Sequence, residues 1–169
     1  MGMQNSPLLM SRLVDRGATV SPNADIVTAT EEGSRTQTYA ETRDRAHQLA
    51  HALTDVGIGI GDRVGTFMWN GSRHLEAYHA TAGMGAVLHT LNVRLSETDL
   101  EYIINHAGDR LIIADADALP LLEKLSGRIP TVERVVVATE AGFEDWTTSL
   151  PEAVDYEAFI QGKPTHFEW

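Results

Sequence analysis

In the first 60 residues, some apolar positions recur with the period of a helix and others lie in short runs typical of strands. These patterns distinguish predicted helices from a predicted hairpin. The spacing after Pro7 has the helical period and predicts a first helix that ends at Gly17. Residues 25–30 and 35–38 are short apolar and β-branched runs around a Gly-containing turn, which predicts two short strands. The chain is therefore expected to begin as a helix followed by a hairpin.

A second helix is predicted directly after the hairpin. Thr38 and Glu41, three positions apart, form a capping-box pair, in which each side chain satisfies a backbone N–H at the helix start. The helix is predicted to run to about Val56, where Gly57 stops it. Its apolar stripe has the period of a helix that packs on a core and consists of Ala46, Leu49, Ala50, Leu53 and Val56.

Strand and helix patterns then alternate as far as residue 139. The strand candidates are mostly continuous apolar runs, as in parallel strands covered on both faces, and they are residues 63–68, 87–91, 110–114 and 134–138. Helix patterns begin near Ser72, Ser96 and Asp117, and the first is predicted to bury Leu75, Tyr78, His79 and Ala82. Such alternation requires crossovers between parallel strands. The predicted fold class is therefore α/β, with a mainly parallel sheet and helices on both faces.

The pattern weakens after Thr139, where residues 140–152 are predicted as loop and residues 153–161 as a short helix. We divide the chain accordingly into three segments. They are an amino-terminal helix–hairpin–helix segment (1–60), a parallel α/β core (61–140), and a loop, short helix and tail that lead away from the core (141–169).

Composition and charge exclude several classes of function. The 24 acidic residues outnumber the 13 basic ones and give a net charge of −11, which argues against a nucleic-acid partner or an anionic membrane surface. The chain has no cysteine, so disulfides and thiolate metal sites are excluded. No apolar run approaches the roughly 18 residues of a membrane span, and the first residues lack the features of a signal peptide. The expected location is cytoplasmic.

A polar cluster at the end of the second strand of the core is the candidate site. His89, Thr90 and Asn92 follow a run that is otherwise typical of a buried strand, where polar groups need partners. The carboxyl ends of parallel strands are also where ligands collect. A structural hydrogen-bond network is the favoured interpretation, and a site edge is the alternative.

Other residues with suggestive spacing have simpler interpretations. His47 and His51 have the i, i+4 spacing of helical metal ligands, but they fall opposite the apolar stripe, so a solvated face is predicted. His79 is predicted to be a hydrogen-bonded core histidine. Asp115 and Asp117 follow a strand, and we interpret them as helix caps.

Three motifs, in their order along the chain, resemble conserved segments of one enzyme superfamily. The first is TYAE at residues 38–41 followed by RAHQLAHAL in the same helix, and the second is GDRV at residues 61–64. The third is AGMGAV at residues 82–87 followed by Asn92. Together they resemble the adenylate-forming superfamily of acyl-CoA synthetases, luciferases and peptide-synthetase adenylation domains, over nearly the whole chain.

Within that superfamily, further residues are similar to medium- and long-chain fatty acyl-CoA ligases: LHTLN at 88–92, Trp69-Asn70, HLE at 74–76 and YIINHA at 102–107. The resemblance implies the large domain of an acyl-CoA synthetase. It also implies a full-length protein that uses ATP, Mg²⁺ and CoA. Such a protein converts a fatty acid to its acyl-adenylate and then transfers the acyl group to the thiol of CoA.

The catalytic groups that the resemblance implies do not match this sequence. They include a Ser/Thr/Gly-rich phosphate loop with a lysine, whereas Lys124 and Lys163 are the only lysines and neither lies in a glycine-rich loop. We therefore assign no catalytic, cofactor-binding or metal residue, and we predict a catalytically incomplete amino-terminal fragment whose tail leads to the ATP-binding region. An incomplete sheet predicts self-association into a homo-oligomer.

Two alternatives stay open. The chain is a free-standing, non-catalytic α/β module for binding or assembly, or it belongs to an adenylating enzyme for an aryl, short-chain or amino acid.

Overall fold

The computed structural model describes residues 9–30, 33–139 and 148–169. In chain order, the elements are α1 (Ser11–Val20), β1 (Asp25–Thr30), β2 (Gly33–Thr38), α2 (Tyr39–Asp55), β3 (Arg63–Phe67), α3 (Ser72–Gly83), β4 (Val87–Thr90), α4 (Glu97–Ala107), β5 (Asp109–Asp115), a 3₁₀ turn (Ala116–Ala118), α5 (Leu119–Leu125), β6 (Arg134–Ala138), β7 (Val154–Asp155) and α6 (Tyr156–Ile160). In the described ranges, no helix combines the length and the apolar character needed to cross a membrane.

The main sheet has the order β4-β3-β5-β6-β7, and all of its strands are parallel. This confirms the predicted α/β class. β4 lies at an edge of the sheet, and Val87 at its start is 47% exposed. The strand that the sequence suggested to be buried is therefore covered less than expected. β7 was not predicted, because two residues are too short to give a periodic signal.

Helices cover both faces of the sheet, as predicted. Alternate residues of β5 point to opposite faces, so Leu111 and Ile113 pack with α2, α3 and α6, whereas Ile112 and Ala114 pack with α4 and α5. All four side chains are almost completely buried. The sheet thus separates two apolar clusters, one on each of its faces.

The capping box and the apolar stripe of α2 are both confirmed. Thr38 Oγ1 accepts from the Glu41 N–H at 3.2 Å, and a Glu41 carboxylate oxygen accepts from the Thr38 N–H at 2.7 Å. The buried stripe consists of Ala46, Leu49, Ala50 and Leu53, with Val56 half-buried beside it. The local signal was sufficient here because both capping partners lie in the first turn.

The first helix does not end at Gly17, which is a correction. α1 continues to Val20, and the Ser21 N–H bonds to the Gly17 carbonyl at 2.9 Å. A β-carbon on Gly17 would lie 3.1 Å from the Tyr39 ring, so the glycine allows α1 to approach α2 rather than stopping the helix. The predicted start near Pro7 lies outside the described residues.

The buried face of α3 also differs from the prediction. Tyr78 is 40% exposed, and the buried residues are Ser72, His74, Glu76, Ala77, Ala80 and Thr81. α3 contacts the sheet, α1, α2 and the hairpin, so it is enclosed on more than one side. Glu76 and His74 are buried there with hydrogen-bond partners for their polar atoms, so the apolar stripe alone misidentifies the inner face.

Candidate functional site at the carboxyl edge of the sheet

An open cavity of about 670 Å³ lies where β3, β5 and β6 end. The β1–β2 hairpin forms the opposite wall, and Met68, Trp69 and Ala138 lie on the sheet side. The volume falls in the range of roughly 300–1,000 Å³ that is typical of small-molecule sites. Its position, beyond the carboxyl ends of parallel strands, is also the usual one for ligands in open α/β sheets.

Trp69 is fixed at the mouth of this cavity by two carboxylates. Its backbone N–H donates to Asp115 Oδ2 at 2.7 Å, and its indole Nε1 donates to Asp117 Oδ2 at 2.8 Å. Neither carboxylate makes a side-chain cap to the 3₁₀ turn that follows. Asp115 does occupy the N-cap position of that turn, but its carboxylate accepts from the loop after β3 instead of capping, and Asp117 lies inside the turn. The interpretation of both residues as side-chain caps is therefore wrong.

His74 fastens the same loop from the first turn of α3. Its Nδ1 lies 3.2 Å from the Trp69 carbonyl and its Nε2 lies 3.0 Å from Thr66 Oγ1. Since a carbonyl only accepts, Nδ1 carries the proton and Nε2 accepts from the threonine hydroxyl. Burial lowers the pKa of His74, so the ring is held neutral.

The hairpin closes the cavity by satisfying the start of α3. Gly71, the residue that caps α3, has no side chain to offer, and Thr28 Oγ1 of β1 accepts from the Ser72 N–H at 3.0 Å instead. A β-carbon on Gly71 would lie 3.2 Å from Thr28 Cγ2, so the glycine permits this approach. Arg35 of β2 donates to Ser72 Oγ at 3.2 Å and lines the cavity.

A buried polar network lies behind this wall. The Glu76 carboxylate, which is fully buried, accepts from Gln37 Nε2 at 2.8 Å, Arg45 Nε at 2.8 Å and the Tyr156 hydroxyl at 2.7 Å. Burial raises the pKa of Tyr156 well above its ordinary value, so the hydroxyl stays a donor. The network joins β2, α2, α3 and α6 and thereby fixes the hairpin relative to the sheet. No local pattern in the sequence indicates this network.

Comparison with known proteins identifies the scaffold. Residues 14–166 match the model of the AMP-binding enzyme family. The chain belongs to the AMP-binding enzyme family. It is similar to 3-methylmercaptopropionyl-CoA ligase of Ruegeria lacuscaerulensis, at 38% identity over 168 residues. It is also similar to long-chain-fatty-acid–CoA ligase of Thermus thermophilus, at 40% identity over 157 residues.

These matches include nearly all of this chain but a minor part of each relative. They cover 99% and 92% of this chain and 31% and 29% of the two ligases. The fold is likewise similar to that of the anthranilate CoA ligase AuaEII in complex with anthranoyl-AMP, with a TM-score of 0.83 at 24% identity, over 99% of this chain and 31% of that chain. The chain therefore spans about a third of the length of these family members.

In this member of the AMP-binding enzyme family, His89, Thr90 and Asn92 do not converge on the cavity. Thr90 and Asn92 are exposed, and the Asn92 carboxamide oxygen accepts from the Arg94 N–H at 2.9 Å within its own turn. His89 points instead to the buried carboxylate of Asp109 at the start of β5. Each of the three has its own surroundings, and none lines the carboxyl-edge cavity. Their role at a site edge stays a prediction.

The histidines of α2 are not on a solvated face, which corrects the prediction made for them. His47 is only 3% exposed and contacts Asp15, and His51 Nε2 donates to the His166 carbonyl at 2.8 Å. Both lie under residues 163–169, which pack along α2. Among the described residues, no three His, Asp or Glu side chains are placed to hold a metal ion.

His79 does not have the hydrogen bonds that were predicted for it. Its Nδ1 is buried without a hydrogen-bond partner, and burial lowers the pKa of the ring. The expectation of a hydrogen-bonded core histidine is therefore wrong for this nitrogen.

Proposed function

We propose that this chain is the amino-terminal part of an ATP-dependent acid–thiol ligase that activates a fatty acid. The supporting observation is the family match over residues 14–166, together with CoA ligases among the relatives at 38–40% identity. The full-length protein would form an acyl-adenylate and pyrophosphate from the carboxylate and Mg-ATP, and would then transfer the acyl group to the CoA thiol. We also propose a cytoplasmic location, where these cosubstrates are made.

The described residues do not themselves fit Mg-ATP. Lys124 pairs with Glu97 at 3.2 Å and Lys163 pairs with Asp55 at 2.6 Å, and neither lysine lines the cavity. No carboxylate cluster suited to a metal ion occurs in the described part. We therefore derive no step of the reaction from this chain, and we assign it the role of scaffold, with the anchored Trp69 loop at the carboxyl edge as the wall that faces the remaining protein.

The test is pyrophosphate exchange by the protein that the complete reading frame encodes. Acetate, octanoate, palmitate and benzoate serve as acids, so that the same assay distinguishes fatty-acid activation from short-chain or aryl-acid activation. We expect exchange with octanoate or palmitate and none from the 169-residue chain alone. Exchange by the 169-residue chain would contradict the scaffold role, and a stop codon after Trp169 would contradict the ligase proposal.

The uncovered edge of the sheet supports a second part of the proposal, which concerns the chain in isolation. β4 lies at an edge of the sheet, and its first residue, Val87, is 47% exposed. Ile60, near the start of β4, is 89% exposed. Such an edge offers unpaired main-chain groups together with apolar area. The 169-residue chain should self-associate in static light scattering, and a stable monomer would favour the alternative of an independent binding module.

A further inference from the structure

Residues 163–169, here called the terminal segment, lie along α2 and make main-chain hydrogen bonds to its side chains. Gln48 Nε2 donates to the Lys163 carbonyl at 3.1 Å, and His51 Nε2 donates to the His166 carbonyl at 2.8 Å. Lys163 also forms an ion pair with Asp55, near the end of α2. The segment is therefore held at several points along one helix face.

The most deeply buried of these α2 contacts is the imidazole of His47, which is 3% exposed. Its Nδ1 accepts from the Phe167 backbone N–H at 3.0 Å, and its Nε2 lies 3.2 Å from Asp15 Oδ1 of α1. A backbone N–H only donates, so Nδ1 must be the unprotonated nitrogen and Nε2 must carry the proton that Asp15 accepts. Only the neutral ring, in this one tautomer, satisfies both partners.

Trp169 closes the arrangement from above. Its ring meets His47 edge-on at 4.8 Å between centroids, and its Nε1 donates to Asp15 Oδ2 at 3.1 Å. The same ring covers Gly83, where a β-carbon would lie 2.5 Å from two of its carbons. Phe167 packs on His51 at 4.9 Å. The position of Trp169 in the terminal segment thus depends on its contacts with His47 and Asp15.

We propose that His47 is an acid-sensitive latch: the neutral ring holds the terminal segment on α1, α2 and α3, and protonation of the ring releases it. Protonation places a hydrogen on Nδ1, where it faces the Phe167 N–H. Two donors then point at each other, the half-buried Phe167 amide loses its acceptor, and the segment must move for water to replace it.

The groups around His47 favour the neutral ring. Burial is the largest influence and lowers the pKa of His47, and Arg43 of α2 and His166 of the terminal segment act in the same direction. Asp15 of α1 opposes them. His79 of α3 also interacts with Asp15. Because the folded state disfavours the proton, the attachment weakens as the pH falls below about 6.5, the ordinary pKa of histidine.

His51 provides the comparison, since it contacts the same segment as a hydrogen-bond donor, whereas His47 contacts it as an acceptor. Its Nε2 donates to a carbonyl, and protonation leaves that donor in place. Acid should therefore act through His47 and not through His51, although both rings lie under the same residues.

The experiment is hydrogen–deuterium exchange of the 169-residue chain between pH 8 and pH 5, with protection factors calculated for peptides that contain Phe167. The wild-type factor should fall roughly tenfold across this range, which corresponds to the loss of one hydrogen bond. His47→Asn keeps an acceptor near the position of Nδ1 but does not titrate, so its protection should be independent of pH. His51→Gln keeps the donor and should titrate as the wild type does.

Asp15→Asn provides a second test that does not alter the buried ring. Asparagine has one acceptor oxygen, so it can accept from Trp169 Nε1 or from His47 Nε2 but not from both. The protection factor of the Phe167 peptides in Asp15→Asn should therefore be lower than in the wild type already at pH 8. A wild-type protection factor that is flat with pH, a His47→Asn variant that titrates normally, or wild-type protection in Asp15→Asn at pH 8 would each overturn the proposal.

Discussion

His89 Nδ1 lies 2.8 Å from Asp109 Oδ2, and the contact passes over the main chain of Gly65. Gly65 of β3 is the register partner of His89 on β4, and Asp109 begins β5 on the other side of β3. Because the strand between them carries no side chain at this point, a histidine at the sheet edge reaches a carboxylate in its interior. The edge strand is thereby tied to the centre of the sheet.

Gly65→Ala should destabilise the protein by about 1–2 kcal/mol, since overpacking a closely filled site costs of this order. The new β-carbon would lie 3.2 Å from Ile112 Cγ1 and 3.3 Å from Asp109 Oδ2. Gly59→Ala is the matched control, because its nearest atom lies at 3.9 Å. Urea unfolding measures both variants, and equal stability of the two would contradict the close contact.

Asp109→Asn should reveal that the contribution of Asp109 to the free energy of unfolding depends on pH with a sign opposite to that of most carboxyl groups. Burial raises the pKa of Asp109 above its ordinary value of 3.8, although His89 opposes this. The folded state then binds the proton more tightly than the unfolded chain, so this group stabilises the fold below pH 3.8 and loses that contribution as the pH rises. The difference to be measured is the free energy of unfolding of the wild type minus that of Asp109→Asn. It should therefore decrease as the pH rises above about 4.

Asp62→Asn is the control for that measurement, because the difference in free energy of unfolding should change with pH in the opposite direction. The Gly59 N–H and Arg110 lower the pKa of Asp62, so its contribution is present above pH 3.8 and is lost as the pH falls. The same difference, measured by urea unfolding from pH 3 to pH 6, should increase with pH for Asp62→Asn. Slopes of the same sign in both variants would show that burial does not govern Asp109.

Tyr156→Phe should cost about 1–3 kcal/mol, because it leaves the buried Glu76 carboxylate without one of its donors while the ring volume is kept. The removed hydrogen bond is the one of 2.7 Å from the Tyr156 hydroxyl to Glu76 Oε2. Tyr102→Phe makes the same chemical change on α4 at a side chain that is 64% exposed and should be neutral. Equal free energies of unfolding for the two variants would contradict the importance of the network.

The effect of Gly83→Ala on the free energy of unfolding should change sign when the neighbouring ring of Trp169 is removed. In the wild type the new methyl group collides with the Trp169 ring and should destabilise by about 1–3 kcal/mol. In a Trp169→Ala background the collision is absent, and the better helix propensity of alanine should make the change neutral or favourable by up to about 1 kcal/mol. A double-mutant cycle of unfolding free energies measures the coupling, and additive effects would show that the ring does not cover Gly83.

The features that the sequence predicted well are those that depend on near neighbours. The pair Thr38 and Glu41 identified the start of α2 because both partners lie within one turn. The strands β3, β5 and β6 were predictable because their continuous apolar runs reflect burial on both faces. β7 was missed because it has two residues and gains its place only by pairing with β6.

The features that the sequence missed depend on distant contacts. His47 has the appearance of a surface residue until Phe167, 120 positions later, covers it. Asp117 has the position of a cap until Trp69, 48 positions earlier, takes its oxygen. In both cases the local pattern gave the wrong prediction, because a partner distant along the chain determines the environment of the residue. The candidate site therefore required the structure, whereas the fold class did not.

The hydrogen bond between Asp15 and Trp169 joins residues 154 positions apart. A ribosome makes the surface formed by α1, α2 and α3 well before it makes the terminal segment that covers it. The nascent chain therefore passes through a stage at which strands β1–β7 have been made and this apolar surface is still open to chaperones or to other chains. The order of synthesis thus keeps this surface uncovered until Trp169 has emerged.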